Sequence, residues 1–269
     1  TLAELKNSRS SQLIIMITKT EDEWLMDEAI TGQVEQFLIK PVNPSQIFMA
    51  CKQALEKSKL REQKATSDYL KEFQEIEAQL SNELNADDWW RLYDRLTDWQ
   101  IKFDNYNDTG LGSILKEQIQ TCNREFINFI DSNYESWMQS NNRPTLSVDI
   151  VPKYVKPILG KGEKVCLLVI DCMRHDHFKS MMVLLEPFFN IKLDYKFSLL
   201  PTATPYSRNA IFCGLFPDEM VKKYPKQGDD MKNDSTSLNQ HEKQFLIDQF
   251  QNLHIVNHKV LLVFLQLIY

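Results

Sequence analysis

The stretch VCLLVIDCMR, residues 165–174, decides the fold of the C-terminal half of the chain. Six consecutive apolar residues (165–170) are typical of a central strand in a parallel sheet, which is buried on both faces. Asp171 would lie at the carboxyl end of this strand. A second strand is predicted within 189–200, followed by a helix that ends near Gly214. This alternation of strands and helices predicts an α/β fold for residues 142–269.

The first 60 residues alternate in the same way. Two short apolar runs, LIIMIT (13–18) and QFLI (36–39), predict parallel strands, with an acidic helix over residues 21–31 between them. Pro44 is predicted to open a helix that runs to about residue 59, because proline is tolerated in a first turn. A βαβ arrangement follows from this pattern.

Residues 61–141 show no strand-like run and predict an all-α segment. Apolar side chains recur every three or four residues in three successive blocks, which predicts a small bundle of amphipathic helices. The blocks run from Tyr69 to Leu84, from Trp89 to Phe103 and from Leu115 to Phe129. Stripes of this kind are typical of a core, so no chemistry is assigned to them.

Composition excludes several classes of protein. The 269 residues carry a net charge of −6, so no basic surface indicates nucleic-acid binding. The five cysteines contain no CxxC pair, which favours reduced thiols over disulfides and argues against a cysteine-type zinc site. No apolar run is long enough to span a bilayer, and a cytoplasmic location is expected. The chain begins with Thr1 and ends in the apolar run VLLVFLQLIY, from which we expect a fragment of a longer protein.

Two residues of the first part form a candidate anion site. Thr18 and Lys40 end neighbouring strands at the usual ligand edge of a parallel sheet, where a lysine neutralises an anion and a threonine hydroxyl donates to it. Two polar residues that merely end strands would give the same pattern. The strings MITK and FLIKPVNPSQI resemble the last part of a response-regulator receiver domain. The resemblance implies that Thr18 and Lys40 contact a phosphoryl group on an aspartate and that Phe37 reorients on activation. The phosphoacceptor aspartate and the Mg²⁺-binding acids would precede this chain.

Two strand ends of the last part form the candidate catalytic site. A carboxylate (Asp171) and a hydroxyl (Thr204) at adjacent sheet edges can share a divalent metal, which lowers the hydroxyl pKa and makes it a nucleophile. The motifs IDCMR and LPTATPYSRNAIFCGLFP resemble the alkaline-phosphatase superfamily, and the longer one resembles its PglZ branch. The resemblance implies that Thr204 is the nucleophile, that Asp171 and Thr204 bind zinc, with two zinc ions in the intact protein, and that Arg208 and Asn209 contact phosphate. Thr202 is the competing hydroxyl.

Other candidate ligands carry less weight. The superfamily completes its metal sites with later Asp and His residues, which are not recognisable here. His254 and His258 follow an extended pattern that does not fix a metal. His175 and His177 are interpreted as exposed loop histidines, and Arg174 as structural. We therefore expect this chain by itself to be inactive.

Taken together, the chain resembles the PorX-like response regulators, which join a receiver domain to a PglZ domain and are associated with type IX secretion. The expected fold is a partial doubly wound, CheY-like receiver sheet (1–60), an all-α helical segment (61–141) and part of an alkaline-phosphatase-like α/β PglZ domain (142–269). The resemblance implies a two-component regulator whose output hydrolyses phosphodiesters in nucleotides or oligonucleotides. A sensor histidine kinase, a sigma factor and a phosphorylation-dependent homodimer are the implied partners.

One alternative function is that of a binding protein rather than an enzyme. A phosphorylation-switched scaffold with a catalytically silent PglZ domain would bind a sigma factor or a sensor kinase. Recovery of the missing Asp and His ligands with bound zinc would favour the enzyme. A DNA-binding regulator is disfavoured, because neither a recognition helix nor a basic patch is present.

Overall fold

The computed structural model describes residues 5, 12–19, 34–104, 110–226 and 241–255. Its helices and strands, in chain order, are β1 (Ile15–Thr18), β2 (Gln36–Ile39), α1 (Pro44–Leu80), α2 (Ala86–Asp104), α3 (Leu111–Gln139), α4 (Lys156–Leu159), α5 (His175–Leu185), α6 (Asn209–Cys213), α7 (Pro217–Lys223) and α8 (Glu242–Asn252). The chain divides into two compact units: Thr1–Asn133 with Arg174–Pro187, and Tyr134–Met173 with Phe188–Tyr269.

The two predicted strands of the first unit are present. β1 and β2 pair in parallel, with a register that runs from Ile15 opposite Gln36 to Thr18 opposite Ile39. Arg61 of α1 donates to Glu35, just before β2, over 2.9 Å. The acidic helix predicted over 21–31 lies outside the described residues.

Helix α1 is longer than the sequence predicts. Asn43 forms a capping box with Gln46, which fixes the predicted start at Pro44. The predicted end near residue 59 is wrong, since α1 continues for 37 residues to Leu80. The physical reason is that residues 59–68, KLREQKATSD, contain neither Gly nor Pro and include many strong helix formers.

The rest of the first unit is the predicted helical bundle. Asn85 caps α2 by accepting from the backbone N–H groups of Asp87 and Asp88. One buried cluster of α1, α2 and α3 forms the core: Tyr69, Ile76, Trp89, Leu92, Leu96, Trp99, Leu111, Leu115 and Cys122. These residues belong to the periodic stripes that predict the three helices. Helix α5 also packs against α2 within this unit.

The second unit is built from short helices. A 3₁₀ turn (Ser147–Asp149) precedes a π-helical segment (Val151–Val155) that continues into α4, and a second π-helical segment (Thr204–Arg208) continues into α6. Its core contains Val151, Val155, Leu159, Ile211, Phe212, Cys213, Met220, Tyr224, Phe245 and Leu246. Gly214 ends α6 in the left-handed conformation, φ 63°, where the sequence predicts the helix to stop.

The predicted strand over residues 165–170 does not join a ladder within the described part of the chain. Val165, Leu167 and Val169 pack on the core of the second unit, whereas Leu168 is 66% exposed and Ile170 is 48% exposed. In that unit the described pairing is a single parallel bridge between Leu146 and Phe197. A central strand needs neighbours on both sides, and the described residues supply neither for this segment.

Two further observations concern the chain as a whole. All five cysteines are free thiols, as predicted, with Cys122 and Cys213 buried. Across the described ranges, no helix combines the length and the apolar character that crossing a membrane requires.

Candidate active site

Asp171 lies in a turn that follows segment 163–170, which has no regular secondary structure. The next residue, Cys172, has φ 57°, a left-handed conformation that is uncommon for a residue with a side chain. The backbone N–H of Cys172 donates to Asp171 Oδ1 over 3.0 Å. This bond fixes one carboxylate oxygen within the turn.

Thr204 contacts the other oxygen of the same carboxylate. Its Oγ1 donates to Asp171 Oδ2 over 3.2 Å, across 33 residues of sequence. Thr204 is half-buried and opens the π-helical segment, while the competing Thr202 is exposed and lies before it. The structure thus brings together the two residues that the sequence singles out for the nucleophile and the metal.

Arg208 adds a positive charge to this pair. Its Nη1 lies 3.6 Å from Asp171 Oδ2, and its Nε donates to Glu242 Oε1 over 2.6 Å. The guanidinium is 15% exposed and Glu242 is 1% exposed, so the pair is largely desolvated. The hydrogen bond to Glu242 raises the pKa of Arg208 despite its burial. Arg208 therefore stays protonated beside Asp171.

Glu242 is the residue of this cluster that the sequence analysis missed. The polar composition of residues 226–244 predicts a surface loop, but Glu242 begins α8 and is buried. A signal was present: Phe245, Leu246 and Phe250 lie at helical spacing just after Glu242. That spacing predicts a helix whose first turn carries the glutamate.

Asn209 and Ser207 hold the segment that carries Thr204. Asn209 is 2% exposed, and its Nδ2 donates to the carbonyl of Pro205 over 3.2 Å. The hydroxyls of Ser207 and Ser147 lie 3.0 Å apart in the core. The predicted contact of Asn209 with phosphate stays a prediction, and its observed bond is local to the helix.

Two oxygen donors of the expected metal site lie together in the described part of the chain. Asp171 and Thr204 contribute one carboxylate and one hydroxyl, and within the described ranges no three His, Cys, Asp or Glu side chains cluster to hold a metal ion. A catalytic zinc takes three protein ligands and a water. A carboxylate and a hydroxyl are oxygen donors of the kind that a divalent cation accepts, and further ligands from outside this cluster would be needed to complete a zinc site.

The predicted histidine candidates lie elsewhere. The interpretation of His175 as an exposed loop residue is wrong, because it begins α5, is 11% exposed and lies 2.7 Å from Asp94. Arg174 pairs with Asp176 over 2.5 Å, which agrees with a structural role. His254 lies in the turn after α8 rather than on an extended edge, and His258 lies outside the described residues.

The candidate phosphoryl-sensing residues meet at one end of the small sheet. The backbone N–H of Lys40 donates to the carbonyl of Thr18 over 2.7 Å, so the two residues lie side by side after β2 and at the end of β1. Phe37 stands opposite Met16 in the register. Their signalling role stays a prediction.

Two family models match the chain. Residues 59–138 match the PorX response regulator linker domain, and residues 150–260 match the BREX system PglZ alkaline phosphatase-like domain. No curated protein matches the chain significantly. The chain is thus a response-regulator-like protein with an alkaline-phosphatase-like domain.

The presence of both domains in one chain identifies a kind of protein more specifically than either domain alone does. A PorX linker domain followed by a PglZ domain confirms the resemblance to the PorX-like response regulators. The PglZ match contains Asp171, Thr204, Arg208 and Glu242, so the whole candidate site lies within one recognised domain.

Proposed function

We propose that the PglZ domain hydrolyses phosphodiesters of nucleotides or oligonucleotides and that Thr204 is its nucleophile. The observation that carries the proposal is the hydrogen bond between Thr204 Oγ1 and Asp171 Oδ2. It supports a shared site for the hydroxyl and the carboxylate, within a domain of the alkaline-phosphatase type.

Each residue of the cluster then has a chemical role. Thr204 Oγ1 forms a bond to phosphorus while the bond between phosphorus and the leaving oxygen breaks, and the proton lost from the hydroxyl is balanced by the one that the leaving alcohol takes up. Water later cleaves the phosphothreonine and restores the hydroxyl. Arg208 balances negative charge on the phosphoryl oxygens, and Glu242 holds its guanidinium in place.

A divalent cation, which we propose to be zinc, would supply Lewis-acid stabilisation and lower the pKa of the bound hydroxyl. In this chain Asp171 and Thr204 would hold it, together with donors beyond this cluster. We place Mg²⁺ at the receiver domain of the intact protein.

Regulation is proposed to begin at the receiver end of the protein. The linker domain supports a kinase partner in general. We propose a sensor histidine kinase, dimerisation on phosphorylation, a cytoplasmic location and a link to type IX secretion, with Thr18 and Lys40 sensing the phosphoryl group.

A second candidate function is supported by one observation. The guanidinium of Arg208 already contacts both Glu242 and Asp171, and the described residues supply two metal donors. A catalytically silent PglZ domain on a phosphorylation-switched scaffold, with a sigma factor or a sensor kinase as partner, would have these properties.

One experiment separates the two. The complete gene product that contains this sequence is assayed for zinc content and for hydrolysis of bis-p-nitrophenyl phosphate and short oligonucleotides, with Thr204→Val and the matched control Thr202→Val. The enzyme requires zinc-dependent turnover that Thr204→Val abolishes and Thr202→Val retains. Turnover that survives Thr204→Val would refute the proposed nucleophile. Absence of both zinc and turnover would refute the enzyme and favour the scaffold.

A further inference from the structure

Ser207 is a buried residue of the π-helical segment that begins with Thr204. It is 6% exposed, and its backbone N–H donates to the carbonyl of Ala203 over 2.9 Å. The backbone N–H of Asn209 donates to the carbonyl of Thr204. Hydrogen bonds within one turn therefore connect the backbone of Ser207 to that of Thr204. A side chain that holds Ser207 in place also restrains the candidate nucleophile.

Ser147 holds Ser207 from the 3₁₀ turn that packs on α6. Ser147 is fully buried, and its hydroxyl lies 3.0 Å from that of Ser207. The backbone N–H of Leu199, five residues before Thr204, donates to Ser147 Oγ over 3.4 Å. Ser147 thus contacts both the Thr204 segment and the stretch of chain that leads into it.

Lys196 brings a charged donor to the same hydroxyl. Its Nζ lies 3.4 Å from Ser147 Oγ and 3.0 Å from Ser198 Oγ. Lys196 is half-buried, and burial lowers its pKa. A lysine ammonium carries three protons and no lone pair, so Lys196 donates to both hydroxyls.

The two donors around Ser147 set the direction of its hydrogen bond to Ser207. A serine hydroxyl has one proton and two lone pairs. The N–H groups of Leu199 and Lys196 both donate, so they use the two lone pairs of Ser147 Oγ. The proton of Ser147 is therefore left for Ser207 Oγ. Without Lys196 one lone pair is free, and the bond between the two serines can form in either direction.

We propose that Lys196 is a positioning residue for the candidate nucleophile: by donating to Ser147, it directs the proton of that hydroxyl to Ser207 and so orders the segment that begins with Thr204. All four residues belong to the second compact unit. The inference rests on the proposed role of Thr204, since it names what holds that residue in place.

Amide hydrogen exchange of residues 204–209 tests the proposal without any need for catalysis. The complete gene product is compared with its variants Lys196→Met, Ser147→Ala and the double variant. Lys196→Arg keeps the charge and the donors and is the rescue variant. Lys192→Met is the matched control, because Lys192 is an exposed lysine of the same stretch. Exchange across α7, in the same unit, serves as the internal reference for general destabilisation.

We expect exchange of residues 204–209 to be about fivefold faster in Lys196→Met and in Ser147→Ala, the size of effect that loss of one hydrogen bond produces. The double variant should be no faster than Ser147→Ala, because Lys196 acts through Ser147. Lys196→Arg should stay within about twofold of the parent, while Lys192→Met should not change. Exchange across α7 should be the same in all of them.

Three results would overturn the proposal. The first is unchanged exchange of residues 204–209 in Lys196→Met. The second is an equal rise across α7, which would mean that Lys196 stabilises the unit as a whole. The third is a full additional effect of Lys196→Met on top of Ser147→Ala, because Lys196 would then act by another route. If Ser147→Ala does not fold, Ser207→Ala takes its place in the comparison.

The exchange measurements and the assay of the proposed function can fail separately. If Thr204→Val retains turnover, the proposed nucleophile is wrong, while exchange still decides whether Lys196 orders the segment. If the complete gene product hydrolyses phosphodiesters through Thr204, Lys196→Met should lower kcat about fivefold with little change in KM, and Lys196→Arg should restore it. An unchanged kcat beside faster exchange would overturn the positioning role.

Discussion

Replacement of Glu242 by glutamine tests the most deeply buried contact of the candidate site. Glu242 is 1% exposed and receives two hydrogen bonds from Arg208, of 2.6 and 3.4 Å. Loss of one partner of a buried ion pair costs about 3–5 kcal/mol, and glutamine retains one acceptor for Nε. We therefore expect Glu242→Gln to lower the free energy of unfolding by about 2–3 kcal/mol, since a hydrogen bond to a charged group contributes about 1.5–3 kcal/mol. This is about a 30- to 150-fold change in the unfolding equilibrium constant.

Urea denaturation followed by tryptophan fluorescence measures this change. The m-value should stay constant while the midpoint falls. Glu163→Gln, at an exposed position, is the matched control and should leave the midpoint unchanged. The double variant Glu242→Leu/Arg208→Met should lose less stability than the sum of its two single variants, because it leaves no unpaired buried charge. A midpoint for Glu242→Gln within error of the parent would refute the argument that this pair stabilises the second unit.

Three further predictions concern stability, pH and activity. Gly214 has φ 63°, and an added Cβ would lie 2.1 Å from Nε2 of Gln249. Gly214→Ala should therefore lower the free energy of unfolding by about 1–3 kcal/mol. Gly112→Ala, whose added Cβ meets open space, should raise it by about 0.5 kcal/mol in the same urea titration. Burial would raise the pKa of Asp94, but hydrogen bonds from its two basic partners outweigh it and lower that pKa. The stabilisation from this carboxylate is complete above its unfolded pKa and is lost as the pH falls through its lower folded pKa. Unfolding midpoints measured between pH 5 and 2 should therefore fall less steeply with decreasing pH below about pH 4 in Asp94→Asn than in the parent protein. Finally, the 269-residue chain alone should show no hydrolysis of bis-p-nitrophenyl phosphate with Zn²⁺, Mn²⁺ or Mg²⁺; robust metal-dependent turnover would contradict the expectation that its site is incomplete.

The sequence predicted those features that local pattern determines. The four residues of β2 and the start of α1 at Pro44 follow from apolar runs and turn chemistry. The meeting of Asp171 and Thr204 was predicted from strand ends and motifs, and the structure places their oxygens 3.2 Å apart. The end of α1 was missed because a helix stops only where a breaker or a cap is present, and none lies near residue 59.

Features that depend on tertiary partners were not predictable from one sequence. The apolar run 165–170 has the composition of a central strand, yet its pairing depends on neighbours that lie elsewhere in the chain. The burial of Glu242 depends on its pairing with Arg208, 34 residues earlier in the chain. The polar residues that precede Glu242 have the composition of a loop, so they do not predict where α8 begins. His175 has no local signal that would place it on α2, since its partners Trp90 and Asp94 are more than 80 residues earlier.

The continuity of α1 constrains its length. At 1.5 Å per residue its 37 residues span about 55 Å. Near its start Ala50 and Ala54 are buried, and near its end Tyr69 and Ile76 are buried in the bundle core. With about 100° per residue, these two buried faces lie roughly 70° apart around the helix axis. One inserted residue between them would turn the two faces about 100° out of register, whereas seven would change their relation by only about 20°. Relatives should therefore differ in the length of this helix by whole heptads. Because the helix is continuous, rotation of one end about the axis would also rotate the other end.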